Sequence, residues 1–273
     1  MSSRRTPAPF GRRRSVIEAN RAAGAYRVLE VTDPGGPAPR PGQFYMLAAA
    51  ERWGGGDAGT RGEAVGRPFL PRAFSFLRAG DGRLEFLLED VGPGTHRLGE
   101  LQPGDGLWLT GPLGIGFARP EDGRAPVLVG GGIGIVPLAG WQDEVGGPAL
   151  LGFRSAAHAE AAALLADADV ATDDGSVGHH GPVTDLLAES LDADPDALVY
   201  ACGPPAMLEA VRALCADLGV PAQLAMESGM ACGFGACFGC VVPTREGYVR
   251  LCLDGPVLDA ADLDTALVPG TGH

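Results

Sequence analysis

The stretch Pro126-Val127-Leu128-Val129-Gly130-Gly131-Gly132-Ile133-Gly134-Ile135-Val136-Pro137 decides the fold of this 273-residue chain. Its first four residues are typical of a short buried strand, and the glycines let the backbone turn tightly into a helix that we expect to run to about Val145. Ligands bind beyond the carboxyl ends of parallel strands, where glycine permits close backbone approach. Because the run lacks the G-x-G-x-x-G spacing, it does not indicate an ordinary Rossmann dehydrogenase.

Strand and helix patterns alternate along residues 119–225 on both sides of this stretch. The predicted strands are Ala149–Phe153, Asp169–Thr172 and Ala197–Ala201, and the predicted helices are Ala156–Ala166, Thr184–Glu189 and Ala206–Leu218. This alternation predicts a parallel sheet with helices on both faces. Cys202-Gly203-Pro204 follows a strand as the glycine run does, which predicts that Cys202 lies beside a bound nicotinamide. A buried small residue is an equally good interpretation of Cys202.

Residues 15–118 show a different pattern, with short apolar runs separated by glycine and proline turns. Several short strands at this spacing predict a small antiparallel barrel. The segment Trp53–Pro71 interrupts the pattern and is interpreted as a surface insertion. The arginine-rich residues 1–14 are expected to form a disordered leader.

Three segments of the predicted barrel carry residues suited to phosphate or flavin binding. Arg72-Ala73-Phe74-Ser75 places a fixed cation beside a hydroxyl group. The turn Val91–Thr95, which contains Gly94, can present backbone N–H groups and a hydroxyl to a phosphate. Gly111–Phe117 is a third glycine-rich stretch. Each is weak evidence alone, but their order ahead of a nucleotide-type domain is informative.

Three cysteines, Cys232, Cys237 and Cys240, fall within nine residues near the end of the chain, and Cys252 follows. The C-x4-C-x2-C spacing is that of a loop around a plant-type [2Fe–2S] cluster. Structural zinc and disulfides remain alternatives. Zinc sites usually pair two C-x2-C motifs or add histidine, and disulfides require an oxidising compartment that no signal peptide here indicates.

Composition limits the possible functions. The net charge of −13 argues against binding nucleic acid or an anionic membrane surface. No apolar run approaches the roughly 20 residues of a membrane-spanning helix. We therefore expect a cytoplasmic protein with an α/β plus all-β architecture: a barrel domain (15–118), an α/β domain (119–225) and a small cysteine module (226–265).

This order of domains resembles the ferredoxin–NADP reductase superfamily, and in particular the iron–sulfur flavoprotein subunits of NAD-dependent dihydroorotate dehydrogenases. The likeness covers about residues 15–264. Its most specific parts are the glycine run through Leu138, Thr172–Ser176, Ala201–Pro204, Met230–Val242 and Cys252–Val257. The sequence departs from the family at Leu88 and Glu89, where an aromatic and a basic residue are common.

The resemblance implies a set of cofactor contacts. FAD would be bound by Arg72, Ala73, Phe74 and Ser75, with Arg72 on the pyrophosphate and Ser75 near the isoalloxazine, and by Leu87, Leu88, Glu89, Gly94 and Thr95. NAD would be bound by Gly130, Gly131, Gly132, Gly134, Cys202 and Gly203. The [2Fe–2S] cluster would be bound by Cys232, Cys237, Cys240 and Cys252.

The resemblance also implies a partner, an FMN-containing catalytic subunit that oxidises dihydroorotate, assembled with this chain as a heterotetramer. Electrons would pass from FMN through the cluster and FAD to NAD. NADP is an alternative, because Arg154 and Ser155 follow the second strand of the α/β domain, where an arginine can meet a 2′-phosphate. Rival functions are a reductase subunit of a hydrogenase or sulfur-reducing enzyme, an NADPH–ferredoxin reductase, and a zinc-stabilised regulatory protein without redox turnover.

Overall fold

A computed structural model describes residues 4–53, 68–120 and 123–268. The strands, in chain order, are β1 (Arg13–Ala23), β2 (Tyr26–Thr32), β3 (Phe44–Ala49), β4 (Arg72–Ser75), β5 (Arg78–Gly80), β6 (Arg83–Leu88), β7 (Gly106–Leu113), β8 (Ala125–Gly131), β9 (Ala149–Phe153), β10 (Ala168–Thr172), β11 (His179–His180), β12 (Ala197–Cys202), β13 (Ala222–Ala225), β14 (Val241–Thr244), β15 (Gly247–Arg250) and β16 (Val257–Asp259). The helices are α1 (Pro93–Gly99), α2 (Ile135–Val145), α3 (Ala156–Ala159), α4 (Val183–Ala193), α5 (Pro205–Leu218) and α6 (Leu251–Asp254). Short 3-10 turns follow β8 at Gly132–Gly134, α3 at Glu160–Leu164 and β16 at Ala260–Asp262.

The first half of the chain forms an antiparallel sheet of order β4-β3-β7-β1-β2-β6-β5. Alternation along the strands turns one set of side chains inward, where Leu29, Tyr45, Phe86 and Leu109 are completely buried. The predicted antiparallel barrel is confirmed. The predicted surface insertion at Trp53–Pro71 lies mostly outside the described residues.

The second half forms a sheet of order β11-β10-β9-β8-β12-β13-β16, which is parallel except for β16. Val127 and Val129 of β8 pack with α4 and α5, whereas Leu128 between them packs with α2 and α3. Successive side chains of a strand point to opposite faces, so helices cover both sides of the sheet. The predicted parallel α/β domain is confirmed.

The cysteine region is joined to both domains. Cys240 and Cys252 pack in one apolar core with Met46 of the barrel and Leu224 of the sheet. After the hairpin β14–β15 and α6, the chain returns to the sheet, because β16 pairs with β13. The predicted cysteine module (226–265) therefore contributes a strand to the sheet of the preceding domain.

The structure departs from the sequence expectations at three other places. Residues 4–14 are not a free leader, since β1 begins at Arg13 and Arg4 donates to the Gly116 carbonyl oxygen at 2.9 Å. The expected helix Ala156–Ala166 is only α3 and a 3-10 turn. The turn expected at Val91–Thr95 begins the short helix α1. Among the helices of the described residues, none has the length and hydropathy needed to cross a membrane.

Candidate functional site

A cavity of about 620 Å³ lies between the barrel and the parallel sheet. The barrel contributes residues of β4, the end of β6 and the start of α1, and the sheet side contributes the loop after β8 and the loop after β13. Ten residues predicted as cofactor contacts line it: Arg72, Ala73, Phe74, Ser75, Leu87, Glu89, Gly94, Thr95, Gly134 and Cys202. The fold thus brings most of the predicted flavin site together with part of the predicted nucleotide site.

The barrel wall of this cavity is built around Arg72 and Gly94. The two are so close that a Cβ atom on residue 94 would lie 2.5 Å from the Arg72 Nε atom. Arg72 also donates to the Leu70 carbonyl oxygen at 2.6 Å, which holds the guanidinium at the rim. The Thr95 hydroxyl accepts hydrogen bonds from the backbone N–H groups of Val91 and Gly92, so this side chain stabilises the turn itself.

The structure separates Leu88 from the other predicted flavin contacts. Alternation along β6 places Leu87 on the face toward the α/β domain and turns Leu88 into the barrel core beside Leu98. Leu88 is 1% exposed and does not line the cavity. The sequence prediction placed residues 87–89 together on the cavity wall. Successive side chains of a strand point to opposite faces, so the side chain of residue 88 points away from that wall.

The glycine loop after β8 and the turn after β12 touch each other. A Cβ atom on Gly134 would lie 2.3 Å from the Cys202 carbonyl oxygen, so the two loops can meet only because residue 134 is glycine. Gly131 and Gly203 both pack against Met207 of α5, and Gly130 packs against Leu151. Gly134 lines the cavity, whereas Gly130, Gly131, Gly132 and Gly203 do not.

Cys202 is 4% exposed at the end of β12. Burial, and then the negative charge of Glu227, raise its thiol pKa well above the usual range. The neutral thiol supplies a small polarisable surface on the cavity wall and is not suited to act as a nucleophile.

Sequence reasoning did not assign Glu227 and Ser228 to the site, although both line the cavity. The Ser228 hydroxyl oxygen is buried and has no hydrogen-bond partner among the described residues. A buried polar atom without a partner at a cavity wall fits a polar group of a bound cofactor. The available signal was position, since both residues follow directly after β13, which neighbours β12 and Cys202.

The four predicted cluster cysteines form two pairs. The sulfur atoms of Cys240 and Cys252 are 3.2 Å apart and buried, whereas Cys232 contacts the exposed Cys237. All six cysteines lie in the described part of the chain, and none of them forms a disulfide. Two pairs of thiols match the donor set of a cluster that contains two irons.

The loop backbone favours a thiolate at Cys232. Burial alone would raise the pKa of its thiol, but N–H groups of Cys237, Phe234 and Ala236 donate to the sulfur and bring the pKa down to about 7. Gly233 and Gly235 have φ angles of +77° and +83°, which let the loop bend around this sulfur. Burial and the neighbouring Cys240 raise the pKa of Cys252 to about 12. Coordination of this sulfur to iron would displace the proton and leave the thiolate bound to the metal.

Comparisons with known proteins agree with this geometry. Residues 227–264 match the family model described as the iron–sulfur cluster binding domain of dihydroorotate dehydrogenase B. The chain is 36% identical over 236 residues to the dihydroorotate dehydrogenase B (NAD(+)) electron transfer subunit of Caldanaerobacter subterraneus subsp. tengcongensis, an alignment that covers 84% of this chain and 88% of that protein. It is 37% identical to the subunit of the same name from Geobacillus kaustophilus, in an alignment that covers 93% of this chain and 99% of that protein.

Solved structures share the fold. The structure of an NADH-dependent reduced ferredoxin–NADP oxidoreductase superposes with a TM-score of 0.76 at 24% identity and covers 92% of this chain and 90% of its own. A ferredoxin NADP+ reductase from Neisseria gonorrhoeae with bound FAD and NADP superposes with a TM-score of 0.61 at 18% identity. This superposition covers 76% of this chain and 92% of that protein. The fold is shared with these reductases, and by its sequence the chain belongs to the family of electron transfer subunits of NAD-dependent dihydroorotate dehydrogenase B.

Proposed function

We propose that this chain is the electron-transfer subunit of an NAD-dependent dihydroorotate dehydrogenase and holds FAD and a [2Fe–2S] cluster. A separate catalytic subunit oxidises dihydroorotate, and this chain delivers the electrons to NAD. One observation carries the proposal: the segment 226–230 lines the cavity between the domains and runs directly into the cysteine loop. The predicted flavin and cluster sites are therefore contiguous.

The cavity between the domains is the proposed FAD site. Arg72 supplies the positive charge for the pyrophosphate, and Gly94 leaves the space that the guanidinium occupies. Ser75 and the buried Ser228 hydroxyl supply polar contacts for the flavin ring system. When bound, FAD exchanges electron pairs with a nicotinamide, and a [2Fe–2S] cluster exchanges single electrons.

The carboxyl ends of β8 and β12 form the proposed NAD site. The glycine loop Gly130–Gly134 keeps side chains away from the strand ends, so that a dinucleotide can approach the backbone. Cys202 borders both this edge and the flavin cavity. Its neutral thiol and the apolar side chains of Ile133 and Val136 exclude water from the place where nicotinamide and flavin would meet.

Cys232, Cys237, Cys240 and Cys252 are the proposed cluster ligands. Amide N–H groups around Cys232 stabilise negative charge on its sulfur, as hydrogen bonds do around iron–sulfur centres. Cys240 and Cys252 are fixed in the apolar core. The exposed Cys237 lies at the surface of the molecule.

The surface around Cys237 is the proposed docking face for the catalytic subunit, which would contain FMN and form a heterotetramer with this chain. Phe234 and Phe238, which flank Cys237 in the sequence, are 60% and 62% exposed. The Arg250 guanidinium stacks over the Phe238 ring at 5.2 Å. Exposed aromatic residues with an arginine among them are typical of the centre of a protein–protein interface.

The decisive experiment is purification from the source cells followed by cofactor analysis and identification of the bound partner. We expect FAD, about two iron and two sulfide per chain, and an FMN-containing subunit that oxidises dihydroorotate. Recovery of a hydrogenase as the partner contradicts the proposed reaction. Stoichiometric zinc without flavin contradicts the whole redox proposal.

A further inference from the structure

Three polar side chains from both domains meet at the rim of the cavity. Glu89 follows β6 of the barrel, Arg154 follows β9 of the sheet, and His158 lies in α3. An Arg154 NH2 group donates to the Glu89 carboxylate at 2.5 Å and to His158 Nε2 at 3.0 Å. The Arg154 side chain is 67% exposed, whereas Glu89 is 21% exposed.

The contacts around His158 hold this network in one arrangement. His158 Nε2 lies 3.0 Å from the Arg154 guanidinium, which donates to it, and His158 Nδ1 lies 3.0 Å from the Ser155 hydroxyl oxygen. The edge of the ring packs against Tyr26 of β2, with the ring centres 5.7 Å apart. One acceptor from each domain, Glu89 of the barrel and His158 of α3, therefore holds the charged end of Arg154.

The position of Arg154 in the sheet relates its contact with Glu89 to nucleotide binding. β9 is parallel to β8, and Gly131 pairs with Gly152, so Arg154 lies two residues beyond the level of Gly131, the last residue of β8. In parallel nucleotide-binding sheets the pyrophosphate binds at the first strand and the adenosine ribose at the end of the neighbouring strand. An acidic residue there suits the 2′-hydroxyl of NAD, and an arginine suits the 2′-phosphate of NADP.

We propose that Glu89 is a specificity-determining residue that occupies Arg154 and thereby selects NAD over NADP. The inference rests on the proposed function, because it assumes that a nicotinamide dinucleotide binds at the ends of β8 and β9. A 2′-phosphate carries a charge of about −1.5 to −2. To bind Arg154 it must displace the Glu89 carboxylate and remain beside that negative charge. The 2′-hydroxyl of NAD carries no charge, so its binding requires neither the displacement of Glu89 nor the approach of two negative charges.

The test compares two probes, adenosine 2′,5′-bisphosphate and 5′-AMP, by calorimetry on the complete chain with its cofactors bound. Glu89→Gln removes the negative charge and releases Arg154, so we expect the affinity for the bisphosphate to rise about tenfold, the scale of one charge-assisted hydrogen bond. The affinity for 5′-AMP should change by less than about twofold on the same scale. In Glu89→Gln/Arg154→Gln the gain should disappear. Glu89→Ala provides a second variant with the same expected gain.

The matched control is Asp143→Asn. Asp143 of α2 pairs with Arg78 of the barrel at 2.7 Å, which makes it a second carboxylate–arginine contact between the same domains. If Asp143→Asn raises bisphosphate affinity equally, the gain reflects net charge and the proposal is wrong. An unchanged affinity in both Glu89 variants, or a gain that survives in the double variant, also overturns it.

Failure of this inference is distinguishable from failure of the proposed function. If the chain oxidises NADH but the bisphosphate affinity does not respond to Glu89, only the specificity role is lost. If neither 5′-AMP nor NADH interacts with the flavin-loaded chain, the proposed function fails with it. The ratio of NADPH to NADH oxidation in Glu89→Gln should rise in parallel with bisphosphate affinity.

Discussion

The parallel sheet and the cysteine segment adjoin at β13 but are held in place by different kinds of contact. Strands β8 and β12 are covered by helices on both faces, and Leu128, Val129, Val199 and Tyr200 have no exposed surface. Residues 226–240, all of them described, form no helix or strand. The sheet is maintained by many interchangeable apolar contacts, whereas the cysteine segment depends on a few residues of fixed chemical type.

This difference predicts two classes of variant. A substitution in the sheet should lower the free energy of unfolding and leave the cofactor content of the folded protein unchanged, because the loops at the strand ends depend on backbone position. A substitution in the cysteine segment should change iron content directly, because thiolates and left-handed glycines have few substitutes.

The largest effect is expected for Cys252→Ser. The variant removes one of four proposed ligands from the buried pair with Cys240, and iron content should fall from about two per chain to near zero. The matched control is Cys215→Ser, which makes the same change at a cysteine that is 1% exposed in α5. Iron and acid-labile sulfide assays, with the visible spectrum, measure the outcome. Full iron content in Cys252→Ser would remove Cys252 from the ligand set.

Gly235→Ala tests whether the loop backbone matters as much as the sulfurs. Residue 235 has a φ of +83°, and a Cβ atom there would lie 2.3 Å from Leu253 Cδ1. We expect a loss of about 2–3 kcal/mol in the free energy of unfolding, together with a lower iron content. Gly229→Ala is the control, since a Cβ atom there meets nothing within 4 Å. Equal effects in denaturant unfolding of the two variants would contradict the strain at residue 235.

Val199→Ala tests the sheet side of the comparison. Val199 is completely buried at the centre of β12, and loss of its two methyl groups should lower the free energy of unfolding by about 2 kcal/mol. Iron and FAD content per folded chain should stay at the wild-type level. Denaturant unfolding and cofactor assays on one sample check both statements, and a parallel loss of iron would show that the sheet and the cysteine segment are coupled.

The same difference explains which features the sequence could predict. β8 and β12 were predictable because buried parallel strands are continuous apolar runs. α5 was predictable because the apolar residues of an amphipathic helix repeat with a period of 3.6. The cysteine spacing was predictable because few ligand sets use it. The expected helix Ala156–Ala166 is short because only Ala159 and Ala161 of its helical and 3-10 residues are buried, so high alanine propensity lacks tertiary support.

Contacts between distant residues left no signal in the sequence. Glu89 and Arg154 are 65 positions apart, and neither residue type indicates the other. The return of β16 to the sheet rests on three residues that resemble any short apolar run. The contact of Arg4 with the Gly116 carbonyl oxygen uses a residue that composition alone assigned to a free leader. Only the folded chain identifies these partners.

The smallest effect concerns the anchor of the chain end after β16. Glu209 of α5 accepts hydrogen bonds from Arg212, from the Ala266 N–H group and from the Thr265 hydroxyl. The Arg212 contact is the main cause that lowers the pKa of Glu209 from 4.5 to about 2, against a smaller opposing effect of burial. A lowered pKa stabilises the fold above pH 4.5, and this contribution is lost as the pH falls from about 4.5 to about 2.

Glu209→Gln should therefore lower the free energy of unfolding by about 1 kcal/mol at pH 7, a value reduced for solvent screening at a partly exposed group. The difference from wild type should shrink as the pH falls below 4.5, where the wild-type carboxylate begins to lose its charge. Glu189→Gln, which makes the same change at an exposed position of α4, is the matched control. Denaturant unfolding of the three proteins at each pH measures the difference, in which acid effects common to all of them cancel. A constant difference between pH 7 and pH 3 would mean that Glu209 anchors residues 265–266 through hydrogen-bond geometry rather than through its charge.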